Sequence, residues 1–267
     1  MEITGRGFIA RNLGGLSDRY DDVLALAAGV SFVSPEDPET EFSRETDLVT
    51  RAARRCRAQG RKLVLFTTAS AAVYGTPGCS GDEECSHPPT TPYGRHKLAM
   101  ERIVRESGCR WLILRLSHLV GPDQPPHQLV PTLTRDVLAG RVRIFRGARR
   151  DMLDVRDFVT ILDSLLGADV TGEVVNVASG TSTPVVDLVR HIAALLAEDP
   201  QHEYVDRSSD HQVRIDKLLS LVGHRGHTVD QYYKHVLDRY VPELSARWRT
   251  PVLPPVPTAQ AGASTGG

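Results

Sequence analysis

Tyr93 and Lys97 lie four residues apart in TPYGRHKLAMERI (91–103), a stretch whose apolar spacing predicts an amphipathic helix. At that spacing both side chains leave one helix face, with Cβ atoms about 5–6 Å apart. An ammonium so placed favours a phenolate and can bring a tyrosine from about 10 toward neutral pH, making the phenol a competent acid or base. A further group must hold the substrate oxygen. Ser70, in TTASAAVYG, offers a hydroxyl at the C-terminal end of the preceding strand, where open α/β sheets place their ligands. By itself a Tyr-x-x-x-Lys pair is equally two surface residues of a helix; the Ser strand and a glycine loop near the N-terminus turn the reading toward proton transfer.

That loop lies in EITGRGFIARNL (2–13): a short strand, a turn with Gly5 and Gly7, and an apolar helix start. Glycines let the backbone approach a pyrophosphate, and free N–H groups at the helix start face its charge. Dinucleotide-binding loops usually carry a third glycine where this chain has Ala10, so the loop alone is equally an ordinary strand–helix turn. Arg6 and Arg11 flank it, placed either for a phosphate, such as the extra one of NADP, or for solvent.

The elements that must position these residues follow from periodicity. VLALAAGV (23–30), KLVLFTTAS (62–70) and WLILRLSHLV (111–120) are continuous apolar runs, as expected of parallel strands covered on both faces. Between them, Leu48, Val49, Ala52, Ala53 and Cys56 recur at helical spacing up to Gly60, and a second helix opens at Thr91-Pro92. Further on, VPTLTRDVLAG and DVRDFVTILDSLLG read as helices, RVRIF and EVVNVAS as strands, and STPVVDLVRHIAALLAED as a helix with a Ser/Thr cap and proline in its first turn. The tyrosines of DQYYKHVLDRY read as core and interface of a closing helix. Residues 250–267, rich in Pro, Gly, Ala and Ser, read as a disordered tail.

With 267 residues, 40% of them apolar, the chain can bury a sizeable core. A formal charge of -1 argues against nucleic acid as a main partner. No apolar run approaches the roughly 20 residues of a membrane span, and the N-terminus has no secretion-signal pattern. Cysteines at 56, 79, 85 and 109 are read as free thiols of a cytoplasmic protein. Cys79, Cys85 and His87 are close in sequence, but their spacing does not match the usual structural zinc sites, so no metal is expected.

TGRGFIARNL, LFTTASAAVYG, TPYGRHKLAMERIV, LILRLSHLVGP, RRDMLDVRDFV and EVVNVASG, in that order, resemble the extended short-chain dehydrogenase/reductases, the NAD-dependent epimerase/dehydratase group acting on nucleotide sugars, over about residues 2–240. Ser-x-x-Val-Tyr-Gly and Tyr-x-x-x-Lys are the most specific segments. The resemblance implies a Rossmann-like doubly wound parallel sheet over 1–120 plus 151–180, with a small α/β substrate lobe from 121–150 plus 181–249. It implies that Ser70 orients the substrate oxygen, Tyr93 transfers its proton, and Lys97 lowers the tyrosine and binds the nicotinamide ribose. Gly5, Arg6, Gly7, Phe8 and Ile9 would complete the site for NADP or NAD. Arg150 would touch a substrate phosphate, and a homodimer would form through the helices near 43–58 and 92–107.

Departures from that pattern narrow the expectation. Only a dozen or so residues separate Gly7 from DDVLALAAGVSF, which looks like a later strand of the family, so the second and third strands are expected to be missing and the adenosine side to be open. The family's asparagine before the Ser strand is absent from DPETEFSRETDLV, leaving a proton relay to water or another side chain. Ala71 and Ala72 stand where 4,6-dehydratases keep an Asp-Glu pair, which disfavours dehydration by that route. His118 and His127 are candidate substrate contacts and second proton donors, or packing residues. The expectation is an NAD(P)-dependent reductase or epimerase acting on a hydroxyl or keto carbon of a nucleotide sugar or related polar metabolite. The alternatives are a non-redox isomerase or lyase reusing Tyr93, and a cofactor-poor ligand-binding descendant.

Overall fold

The computed structural model describes residues 1–30, 38–85, 87–206, 212–223 and 231–249, so the tail read at 250–267 lies outside the described residues. The chain opens with β1 (Glu2–Thr4), a short helix α1 (Phe8–Asn12) and a 3-10 turn, then passes directly into β2 (Val23–Leu26). There follow α2 (Pro38–Gln59), β3 (Lys62–Thr68), α3 (Ala71–Tyr74), α4 (Pro92–Glu106), β4 (Arg110–Leu116) and β5 (His118–Val120). Beyond them come α5 (Leu129–Leu138), β6 (Arg141–Phe145), β7 (Arg149–Asp154), α6 (Val155–Gly167), β8 (Glu173–Val177), β9 (Ser182–Pro184), α7 (Val185–Leu196), β10 (Gln201–Val205), α8 (Asp216–Val222) and α9 (Tyr232–Arg249).

One parallel sheet runs in the order β1-β2-β3-β4-β8. Its side chains alternate between two cores, which is why its strands read as unbroken apolar runs. Val23, Ala25, Val64, Phe66, Leu112 and Leu114 point to a core shared with Phe8, Phe158 and Leu162. Leu24, Leu26, Leu63, Leu65 and Ile113 point to the opposite side, against Val49, Ala53 and Cys56 of α2 and Met100 and Val104 of α4. Full burial of such a side chain is worth about 1.5–3 kcal/mol. With helices on both faces this is the doubly wound architecture expected, and β1 at the margin matches the predicted loss of two strands.

A third core gathers α5, β6, α7 and α9 through Val130, Val142, Leu188, Ile192, Val236 and Leu237. Two small sheets belong to this region: β10 beside β6, and β5-β7-β9. Tyr232 and Tyr240 of the closing helix are buried there and anchored on carboxylates: the Tyr232 hydroxyl donates to Asp157 at 2.5 Å and that of Tyr240 to Asp154 at 2.8 Å.

Three local expectations are corrected. The run at 111–120 is not one strand: it breaks at Ser117 into β4 and β5, which join different sheets. Pro184 is itself the N-cap of α7, with no side-chain cap, because Ser182–Pro184 is held as β9. Nor are all four cysteines free thiols, since Cys79 and Cys85 are joined in a disulfide while Cys56 and Cys109 remain free.

Candidate active site

Ser70 lies just beyond the C-terminal end of β3 and caps α3, its Oγ accepting the Ala72 N–H at 3.3 Å. Farther along, α4 begins with Thr91 as N-cap, whose Oγ1 accepts the Gly94 N–H at 3.0 Å, and Pro92 at the first position. Gly94 brings the two helices together. A Cβ there would lie 1.9 Å from the Ala72 carbonyl oxygen, so only glycine lets α4 press on α3 at this point. The close contact carries Tyr93 to the same cleft as Ser70.

That cleft, about 490 Å³, is lined by Ser70, Tyr93, Thr67, Phe8, His118 and His127 among others. A smaller one of about 180 Å³ shares Phe8, Ile9, Thr67, Tyr93 and Gln128 with it and adds Gly7 and Lys97. It shares Gly29 and Val30 in turn with a cleft of about 580 Å³ along α2, which Arg44 and Arg51 line together with Glu41, Glu45 and Asp47. A trough therefore runs from Ser70 past Tyr93 and Lys97 to the flank of α2. Gly7 is the N-cap of α1, with no side-chain cap and open space where a Cβ would stand; Gly5, at φ +140°, lies so close to the Ala27 carbonyl that a Cβ would be 2.4 Å from it.

Of the residues expected at the site, Ser70, Tyr93, Lys97, Gly7, Phe8, Ile9, His118 and His127 line these joined clefts. Arg6 is exposed beside Gly7, and Arg11 donates to the Asp123 carbonyl. Arg150 lies on β7 in register with Thr183 of β9, donates to the Arg149 carbonyl, and is not among the residues lining the trough.

The electrostatics differ from expectation. Lys97 Nζ is buried and donates to Glu45 Oε1 at 2.6 Å, while the second oxygen of Glu45 lies 2.8 Å from His96 Nε2. The ammonium stands 5.4 Å from the centre of the Tyr93 ring, and the phenol hydroxyl is 3.4 Å from the Val30 carbonyl. Burial first, and then the charge of Glu45, push Tyr93 above its ordinary value, so Lys97 does not bring it down here. Burial also pulls Lys97 below its ordinary value, with Glu45 opposing. Glu45 ends below its own: burial raises it, but hydrogen bonding from His96 and the charge of Lys97 more than offset that.

A second buried network braces the floor. Arg115, near the C-terminal end of β4, grips both oxygens of Glu101 at 2.9 and 2.7 Å and donates to the Tyr74 hydroxyl at 2.9 Å; Thr67 donates to Glu101 at 2.8 Å. Both carboxylates carry a signal in the sequence. Glu45 falls on the apolar stripe of Val49, Ala52 and Cys56, and Glu101 on that of Met100 and Val104, and a charge on a buried stripe demands a buried partner. The sulfurs of Cys79 and Cys85, weighed as metal ligands with His87, are bonded to each other instead.

A family model described as NAD dependent epimerase/dehydratase matches residues 10–178, more than half of the chain. Among curated proteins, the chain is similar to a UDP-glucose 4-epimerase of Mycolicibacterium smegmatis, 28% identical over 68% of this chain and 62% of that one. It is also similar to a dTDP-glucose 4,6-dehydratase of Neisseria meningitidis, 28% identical over 47% of this chain and 38% of that one. The chain thus spans less than two thirds of the length of these relatives. Among solved structures, RMD from Pseudomonas aeruginosa complexed with NADPH superposes with a TM-score of 0.73 over 92% of this chain and 90% of that one, at 21% identity, a likeness of fold.

Proposed function

The chain belongs to the NAD dependent epimerase/dehydratase family, and from that premise we propose that it is an NAD(P)-dependent oxidoreductase or epimerase acting on a hydroxyl or keto carbon of a nucleotide sugar or related polar metabolite. One observation carries the reading: Ser70 and Tyr93 meet in a cleft that continues past Lys97 to the open start of α1 at Gly7. The residues fit the nicotinamide half of the cofactor, since Gly7 leaves room for an approaching phosphate and no side chain caps α1. Gly5, Arg6, Gly7, Phe8 and Ile9 would hold the phosphates and ring, and Lys97 with Tyr93 the ribose. When bound, the nicotinamide supplies or accepts the hydride.

The remaining roles fall on side chains. Ser70 Oγ orients the substrate oxygen, and the Tyr93 hydroxyl, held neutral, gives its proton to the oxygen that gains charge as the carbonyl is reduced. His118 and His127 face the substrate across the cleft, and Arg150, which lies outside the trough, would meet a phosphate only on a substrate that extends beyond it. In this reading the substrate lies between the body formed by 1–120 with 151–180 and the lobe formed by 121–150 with 181–249. A cytoplasmic site of action belongs to it, and the Cys79–Cys85 bond is the feature that sits least easily there.

Titrating the intrinsic fluorescence of the chain with NADH and NADPH tests the proposal. Saturable quenching by one of them supports it; silence with both refutes it and leaves the cofactor-poor, ligand-binding reading, which the marginal position of β1 favours. Retained binding with lost hydride transfer in Tyr93→Phe separates redox chemistry from a non-redox isomerase. The homodimer through α2 and α4 belongs to the same reading. Exposed Arg51, Arg54 and Arg102 lie on those helices, so self-association should strengthen with added salt in sedimentation experiments.

A further inference from the structure

Glu45 is a buried charged group, in contact with Lys97 beside the proposed proton donor, that the mechanism leaves without a task. It comes from the first half of α2, whereas Tyr93, His96 and Lys97 all come from α4. The contact between these helices is built around its carboxylate. One oxygen takes Lys97, the other faces His96, and Phe42, one turn earlier, stacks on the His96 ring at 4.2 Å. Gly29 makes room from the other side: a Cβ there would stand 2.5 Å from Glu45 Oε1 and 3.4 Å from Lys97 Nζ.

We propose that Glu45 is a positioning residue that acts through Lys97: its carboxylate holds the ammonium against α2, so that the protonation of Tyr93 is governed by Glu45. A lone ammonium near the ring would favour the phenolate. An ammonium 2.6 Å from a carboxylate presents a nearly neutral pair, and the field reaching the phenol is correspondingly weak. The direction found for Tyr93, above the ordinary tyrosine value through burial and then Glu45, agrees with this geometry. Among the described residues, the titratable and charged groups around the phenol come from three sides. Its own helix gives His96 and Lys97, α2 gives Glu45 with Glu41 and Arg44 farther along the trough, and His118 and His127 stand across the larger cleft. Among the described residues, β2, β3 and α1 with the loops that follow them contribute uncharged neighbours: Gly29, Val30, Thr67, Thr68, Ser70, Phe8 and Ile9.

The proposal rests on the functional reading above for the use made of the phenol, but its test requires no cofactor. The near-ultraviolet absorbance of phenolate is followed against pH in the intact chain, and the Tyr93 contribution is taken as the difference from Tyr93→Phe. In the wild-type chain Tyr93 should stay protonated beyond the ordinary tyrosine midpoint of about 10. In Glu45→Gln its midpoint should fall by about 1–3 pH units as Lys97 is released toward the ring, and Glu45→Asp, which keeps the charge, should restore it. A wild-type midpoint at or below about 10 overturns the proposal even if Glu45→Gln does not fold, and so does an unchanged or higher midpoint in a folded Glu45→Gln chain. A chain that never binds NADH or NADPH refutes the functional reading and leaves this titration intact.

Discussion

Replacing Gly94 with alanine sets two effects of opposite sign against each other. Helix propensity favours alanine over glycine by about 1 kcal/mol. Against it stands the contact with α3, where a Cβ would lie 1.9 Å from the Ala72 carbonyl oxygen and 2.9 Å from Pro89 Cβ. The first distance is more than an ångström inside the 3.0 Å that real Cβ atoms essentially never breach, and the obstacle is backbone, so one helix must move as a body. Overpacking of this kind costs about 1–3 kcal/mol, and occasionally more. A backbone obstacle places the cost in the upper part of that range, about 2–3 kcal/mol, so the clash outweighs the propensity gain and a net loss of about 1–2 kcal/mol is expected. Because α3 is capped by Ser70 and Tyr93 adjoins Gly94, the same movement of about 1 Å should lower turnover by about a hundredfold. Urea unfolding of Gly94→Ala beside Ala99→Gly, an exposed change on the same helix that should cost about 1 kcal/mol through propensity alone, measures the balance. A Gly94→Ala chain as stable as the wild type, or more so, would refute the helix contact as described.

Arg115→Met leaves the buried Glu101 carboxylate with Thr67 as its remaining partner in the network described, and should cost about 3–5 kcal/mol; adding Glu101→Leu should recover most of that, as read from urea midpoints. Joint replacement of Cys79 and Cys85 by serine opens a seven-residue loop and should cost about 2 kcal/mol, with a thiol reductant producing the same loss in the wild type and none in the variant. Burial pushes the Asp151 carboxyl up to about 6, with hydrogen bonds from Ser179 opposing, against about 3.9 for an unfolded chain. The native chain then binds a proton that the unfolded chain does not, so the contribution of Asp151 is fully present below about pH 4 and lost as pH rises through about 6. The unfolding free energy of the wild type relative to Asp151→Asn should accordingly grow between about pH 7 and 5, and a decrease would refute the assignment.

The strands that the sequence showed most clearly, β2, β3 and β4, are those covered on both faces, because burial on two sides leaves no room for polar alternation. The strand β7, RRDMLD, was hidden for the converse reason. Its Asp151 and Asp154 are buried on partners as distant as Ser179, Tyr232 and Tyr240, and no local pattern encodes such pairing. Tyr93, Lys97 and Ser70 were legible because a four-residue spacing and a strand end fix where side chains point. What Lys97 meets was not, since Glu45 lies 52 residues away and its approach depends on how α2 leans on α4. The Cys79–Cys85 bond was missed in the same way: the two Cα atoms come within 5.8 Å only through a turn in which Gly81 adopts φ +77°.

That turn also closes one border of the five-stranded sheet. Glu83 accepts the Asn176 N–H at 2.7 Å, and the Asn176 side-chain amide donates to the Gly81 and Arg214 carbonyls, so the outward rim of β8 is sealed by a covalently stapled flap. The opposite rim is a three-residue strand, β1, flanked by the Glu2 carboxylate and its arginines, Arg55 and Arg61. Deuterium should therefore enter the amides of β1 before that of Asn176 on β8. A foreign strand seeking to extend the sheet would find one border shut and the other too short and too charged to grip.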